Sequence, residues 1–383
     1  MNRKGDDLKH WMDKQETFVA PAEWSEPECY DLNDYGNRRE MYSRIVMGDA
    51  KIQRKLSDFA EDLFEMEHPD QKSDTAAKER YLTPILREGD RYGKWHYFPW
   101  LNRIVQYPDQ EEHRQLLTFR NRELISKDEL RRLGLATTAH IGLSVGSHIL
   151  TETTHMGLAN KVILADSDVM SVPNLNRIHA GMPEVGMRKT DVAGIRLSEL
   201  NPYVKQIHLP EGVNPSNVHR IFEQNRPDLI FEEVDHMPTK ILLRKFAKQA
   251  RIALLMATDT GDRSMIDVER YDEDDITEAF LGKLSRDELA MLEKGNLTSE
   301  QNLHLIVKLI GLENIDPRFA QSMGHIGITL GGIAQLGTTA SSGAAYAAVA
   351  GREILLDRGP RTGRYKMSPQ EIMKLRYPSV VQL

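Results

Sequence analysis

The sequence predicts an α/β protein, with a doubly wound, mostly parallel sheet and a helical region ahead of it. Three observations carry that reading. Between residues 138 and 257, short apolar runs alternate with helix-length segments, the pattern of parallel strands joined by crossover helices. The first run ends in a turn rich in glycine and serine, Gly142-Leu143-Ser144-Val145-Gly146-Ser147. There the backbone can approach a phosphate, and the helix that follows offers free N–H groups. The second run ends on Asp166, about 20 residues on, where an acid can take ribose hydroxyls. Together they describe a Rossmann-like, nucleotide-binding βαβ unit.

Taken in order, residues 1–115 read as a separate N-terminal helical accessory region and 116–383 as the nucleotide domain. The opening segment is charged and punctuated by proline, and a helical pattern runs from 40 to 67. Trp95, Tyr97, Phe98 and Trp100 then cluster. Such a group of rings packs against a neighbouring domain or, on a second reading, lines a pocket for a carboxylate substrate. A helix at 124–135 is marked by Ser126 and Glu129 at capping-box spacing. Strands are expected at 138–143, 161–165, 206–209, 228–234 and 253–257, with helices at 189–200, 217–225 and 240–249. The acidic run Asp272-Glu273-Asp274-Asp275 reads as a solvated loop within an insertion at about 270–318. Residues 324–351 contain no Asp, Glu, Lys or Arg and are long enough to cross a bilayer. Their Gly, Ala, Ser and Thr content, with His325 and Gln335 inside, points instead to a buried strand, turn and helix behind the sheet.

Composition narrows the functions. In 383 residues, 28% charged residues and a mean hydropathy of −0.49 predict a water-soluble chain with a sizeable core. A net charge of −7 weighs against nucleic acid as the main partner, because phosphate binding needs a basic surface. The single cysteine, Cys29, excludes a disulfide within the chain and the paired cysteines of a zinc site. The N-terminal MNRKGDDLKHW has no apolar signal core, so a cytoplasmic protein without a membrane partner is expected.

The glycine turn admits three chemistries. Gly142-Leu143-Ser144-Val145-Gly146 fits the G-x-S-x-G elbow of a serine hydrolase. A dinucleotide turn of an NAD-dependent oxidoreductase would employ Asp166 as a ribose ligand and leave Arg177, Lys189 and Asp235 without a role. An ATP site for adenylyl transfer employs all of them, since that reaction needs cations around a triphosphate and a carboxylate for Mg²⁺.

The stretch after the second strand, Asp166 and Asp168 followed by Asn174-Leu175-Asn176-Arg177, resembles the ThiF/MoeB-type adenylyltransferases, whose fold ubiquitin-activating enzymes share. The resemblance extends to Arg120-Asn121-Arg122-Glu123, Gly186-Met187-Arg188-Lys189, Asn201-Pro202 and Val234-Asp235-His236, covering residues 120–267 well and the C-terminal third loosely. Residues 93–100 are similar to the N-terminal region of a bacterial subgroup in which this module is sometimes fused to a nitroreductase-like domain.

The resemblance implies ATP with Mg²⁺ and a role for each matching residue. Gly142, Ser144, Gly146 and Ser147 form the nucleotide turn, Asp166 binds ribose, and Asp168 shapes the adjoining turn. Asn174 and Arg177 contact phosphates, Lys189 sits on the α- and β-phosphates, and Asp235 ligates Mg²⁺. Arg122 matches an arginine that reaches a partner subunit's ATP, which implies a homodimer; Arg120 is the reserve. The implied catalytic set is Arg122, Arg177, Lys189 and Asp235. Asp259 and Asp262 would border the acyl site. Two departures stand out: Ser144 and Ser147 occupy glycine positions, and His236 replaces the asparagine beside the metal-binding acid. No cysteine follows residue 29, so no thioester is expected. The substrate would be the C-terminus of a carrier protein or peptide, or a small acid. A non-catalytic nucleotide-binding partner subunit is the alternative from another class.

Overall fold

The computed structural model describes residues 23–374 apart from residue 296, so the charged opening segment lies outside the described residues. The chain enters on strand β1 (Glu28–Tyr30), and the helical pattern at 40–67 resolves into two helices. Asp34 accepts the Asn37 N–H to start α1 (Tyr35–Gly48), which stops where Asp49 turns left-handed at φ 53°. Strand β2 (Lys51–Gln53) separates it from α2 (Leu56–Glu67), which is followed by α3 (Thr75–Glu88). Strands β3 (Lys94–Phe98) and β4 (Arg103–Tyr107) complete a four-stranded sheet in the order β1-β3-β4-β2. The sequence reading anticipated the helices and not this sheet. Strands of 3 to 5 residues are too short for alternation to register. Trp95 and Phe98 are buried, and Trp100 turns toward Met170, Ile178 and Met187 of the later half of the chain.

After α4 (Gln110–Leu117) comes α5 (Lys127–Leu133), capped as expected by the reciprocal Ser126–Glu129 pair. The main sheet then begins with β5 (Thr137–Ile141), α6 (Val145–His155) and β6 (Lys161–Ala165). It continues through α7 (Lys189–Leu200), β7 (Lys205–Leu209), β8 (Leu229–Glu232), α8 (Met237–Ala250) and β9 (Ala253–Thr260). The helix expected at 217–225 is one π turn, Arg220–Gln224. Strand β10 (Arg263–Glu269) returns antiparallel to β9.

The inserted helices α9 (Arg286–Lys294), α10 (Ser299–Ile310) and α11 (Pro317–Met323) follow, and Leu292, Leu305 and Leu309 cluster with Ile241 of α8. The acidic run is tied down rather than free, with Arg270 paired to Asp272 and Glu273, and Arg251 to Asp275.

The charge-free stretch forms a loop with one isolated bridge, Ile326 to Leu330, and then α12 (Gly337–Leu355); the expected strand is missing. Its small residues have a packing cause: a Cβ on Gly351 would lie 2.6 Å from the Phe231 ring, so the helix must lie close on the sheet. No described helix is long and apolar enough to cross a membrane. Strand β11 (Gly363–Met367) ends the sheet, whose order is β11-β10-β9-β8-β5-β6-β7. The run from β9 to β7 is parallel, and β10 and β11 are antiparallel, giving the doubly wound, mostly parallel Rossmann-like sheet.

Candidate active site

A doubly wound sheet opens a crevice where successive connections leave in opposite directions. Here the chain runs outward from β5 to β6 and β7, then crosses back to β8 and β9 on the other side of β5. The C-terminal ends of β5, β6 and β8 therefore bring Gly142, Asp166 and Asp235 to one rim. A cavity of about 760 Å³ lies there, and Gly142, Ser144, Asp166, Asp168, Lys189 and Asp235 all line it. His236 and residues 211–215 also line it, and the inserted α9 contributes Glu293.

Gly142 sits at φ 92°, and a Cβ there would lie 2.5 Å from the Glu233 carbonyl. The end of β8 thus requires glycine here, whether or not a ligand is bound. The Gly142 N–H donates to Ala165 at 2.8 Å and the Glu233 N–H to Ile141 at 2.7 Å, lacing the three strand ends together. Asp166 is buried and accepts the Leu143 N–H at 2.7 Å and the Asp168 N–H at 2.8 Å. Burial raises its carboxyl above the usual range, while Lys189 pulls it back. Lys189 is itself buried, pairing with Asp168 at 2.7 Å and standing 3.9 Å from Asp166. This buried charge at the cavity wall is thus paired with carboxylates, as burial requires.

Arg177 stands beside the cavity. Its Nε donates to Ser144 Oγ at 3.2 Å and its Nη1 to Asn176 at 2.9 Å. Burial lowers its basicity, and the charges of Asp235 and Asp259 oppose that. Ser144 Oγ therefore faces a guanidinium, an arrangement that supplies no base for a G-x-S-x-G nucleophile.

Sequence reasoning missed Glu233, which lines the cavity and accepts the Ala257 N–H at 2.6 Å. Burial pushes it well above the carboxylate range, and Glu232 and Asp259 add to that. Burial also pushes Asp259 up to about 7, against the pull of Arg177. Glu233 was findable as a second acid beside Asp235 at an apolar strand end. Asp235 is exposed, and among the described residues no group of three His, Cys, Asp or Glu side chains is set to hold a metal.

The remaining sequence candidates lie elsewhere. Gly146 packs in the first turn of α6 against the Glu233 side chain, and Ser147 lines a separate apolar cavity while bonding Ser144 O at 2.7 Å. The Asn174 side chain caps its own turn by accepting from Ser171 at 3.0 Å. Arg122 reaches back to Met66 O at 3.5 Å and lies over the Phe119 ring, away from this cavity; Arg120 also stacks on Phe119. Asp262 forms the β9–β10 turn.

Residues 118–291 match the model of the ThiF family. The chain carries a ThiF-type domain. An uncharacterised protein of Mycobacterium tuberculosis is 31% identical over 310 residues, 79% of this chain and 42% of that protein, so the chain spans about two-fifths of that relative's length. The chain is also similar to the tRNA threonylcarbamoyladenosine dehydratase of Bacillus subtilis, 26% identical over 176 residues, 44% of this chain and 68% of that one. Among solved structures, the E. coli tRNA N6-threonylcarbamoyladenosine dehydratase in complex with AMP superimposes with a TM-score of 0.46 at 18% identity, covering 63% of this chain and 95% of that one.

Proposed function

We propose that the protein activates a carboxylate by ATP- and Mg²⁺-dependent adenylation, releasing pyrophosphate, with no thioester step on this chain. The supporting observation is the convergence of the glycine turn, Asp166, Lys189, Arg177 and Asp235 on the crevice where the sheet switches direction. In this reaction a substrate carboxylate oxygen attacks the α-phosphorus, the bond to the bridging oxygen breaks, and pyrophosphate leaves. Charge grows on the phosphoryl oxygens, and Lys189 and Arg177 are the cations placed to meet it. Asp166 takes the ribose hydroxyls, exchanging its hold on the turn for a ligand contact.

Bound Mg²⁺ would supply further neutralisation of the phosphates. It usually keeps one or two carboxylates plus phosphate and water, so Asp235 alone suits it where the described residues form no multi-acid cage. Cys29 sits on the N-terminal sheet with its thiol raised by burial, which makes it a poor acyl acceptor.

The substrate class is a carboxylate on a carrier-protein C-terminus, a peptide or a small acid. The name of the B. subtilis relative adds a tRNA-borne group to a screen, and the net charge of −7 weighs against it. A cytoplasmic homodimer in which Arg122 serves the neighbouring subunit's nucleotide completes the reading.

Calorimetric titration with ATP and Mg²⁺, beside NAD⁺, tests it. ATP binding that requires Mg²⁺ and weakens at least about tenfold in Asp235→Ala, with carboxylate-dependent pyrophosphate exchange lost, is the expected result. Binding without exchange for any carboxylate supports a non-catalytic nucleotide-binding subunit, and NAD⁺ binding alone supports an oxidoreductase.

A further inference from the structure

We infer that His148 is a positioning residue, whose imidazole fixes the backbone carbonyl of Arg177 and so aims the guanidinium at the phosphates of a bound nucleotide. This rests on the adenylation reading above. His148 lies on α6, one turn beyond Ser144, and is 4% exposed. Its Nε2 meets the Arg177 carbonyl oxygen. A carbonyl only accepts, so Nε2 carries the hydrogen and Nδ1 presents a lone pair. Ser341 Oγ of α12 stands 3.4 Å from that Nδ1, placed to donate to it. The His179 ring packs edge-on at 4.2 Å and closes the remaining side.

Ser144 immediately precedes α6, and His148 lies in its first turn. The first takes the Arg177 side chain and the second its backbone, so the start of one helix grips the arginine at both ends. The preceding residue is braced as well. Asn176 donates to Gln335 O at 3.0 Å, and a Cβ on Gly337 would lie 2.6 Å from the Asn176 carbonyl. An imidazole held neutral suits this place, because it donates a hydrogen bond beside a cation without adding charge. Burial lowers its basicity, and the neighbouring His179 adds to that, while the Arg177 carbonyl and Glu152 oppose it.

The test uses the full chain and ATP with Mg²⁺ as the titrant. His148→Leu fills the space without a donor, whereas His148→Gln keeps an amide N–H near the Nε2 position. The leucine variant is expected to lose about tenfold or more in ATP affinity, and the glutamine variant to stay within about threefold of wild type. Combined with Arg177→Ala, the leucine change is expected to add nothing, because its effect runs through the guanidinium.

Wild-type affinity in His148→Leu overturns the proposal, as does a loss fully additive with Arg177→Ala. So does an equal loss in both His148 variants that tracks their melting temperatures, the signature of a structural role alone. Nitrogen NMR of the imidazole separates the two readings. An Nε2-protonated ring in a wild-type protein that binds no ATP removes the adenylation reading and leaves the His148–Arg177 contact standing without that purpose. Any other tautomer removes the contact itself.

Discussion

Neither carboxylate oxygen of Asp259 has a hydrogen-bond partner among the described residues, although both are buried. Burial with no such partner to offset it pushes this carboxyl up to about 7. The sign follows from linkage. Between the usual value of 3.8 and about 7 the unfolded chain carries the charge and the folded chain carries the proton, so stability falls as pH rises across that window. Above about 7 the ionised group costs the fold on the order of 2–4 kcal/mol. Asp259→Asn, which mimics the protonated form, should therefore be more stable than wild type at pH 8, with an advantage that shrinks as pH falls toward 4. Denaturant titrations at several pH values read this directly; an advantage independent of pH would contradict it. Sequence alone placed Asp259 near the site. It did not reveal the unpartnered state, which depends on Gly343 and Ser264 closing around it from another helix and strand.

At the scale of elements, the end of β8 is held by buried charge. Arg244 of α8 pairs with Glu232 of β8 at 2.8 Å and with Glu269 of β10 at 2.8 Å, and its guanidinium lies 3.9 Å from the Phe280 ring centroid. Lys240 adds a second contact to Glu232 at 2.9 Å. This cluster sets the strand end from which residues 233–235 enter the cavity. Replacing Arg244 with Met leaves two carboxylates buried without their shared cation, so a loss of about 3–5 kcal/mol is expected in chemical denaturation. A loss below about 1 kcal/mol would mean the carboxylates protonate without strain. Elements with a local signature were legible in the sequence: α5 from its capping box, β5 and β6 from apolar runs ending in the turn and Asp166. The strands β10 and β11 were not, because antiparallel return strands beside a parallel sheet carry no crossover pattern. The acid at the end of four-residue β8 was hidden for another reason: Glu232 is 0% exposed, and an apolar reading of a strand does not anticipate a fully buried carboxylate.

Across the whole molecule, α7 links the residues ahead of the ThiF-type domain to its cavity. That helix begins at Lys189 on the cavity wall and ends at Leu200 against the N-terminal region. A helix C-terminus leaves carbonyl groups without partners. Here the Tyr107 hydroxyl donates to Glu199 O at 3.0 Å and His113 Nε2 to Leu200 O at 3.0 Å. Trp100 Nε1 reaches the Glu199 carboxylate at 2.8 Å, while Trp24 stacks on His208 at 3.8 Å and donates to Ser198 at 3.0 Å. Of the aromatic cluster seen in the sequence, Trp100 therefore docks on α7, whereas Trp95 and Tyr97 pack within the N-terminal region itself. Replacing Tyr107 and His113 with Phe keeps the rings and strands both carbonyls, which should cost about 1–3 kcal/mol for each. All four tryptophans, at 11, 24, 95 and 100, belong to the N-terminal region, two of them at this seam, so their fluorescence reports that region while far-ultraviolet circular dichroism reports the whole chain. In the wild-type protein the two signals should melt together. In the double variant the fluorescence transition should move ahead of the dichroism transition as the region lets go of α7 first. Coincident, unshifted transitions in that variant would mean that the seam carries no stability, and that α7 holds Lys189 in place without help from the residues before it.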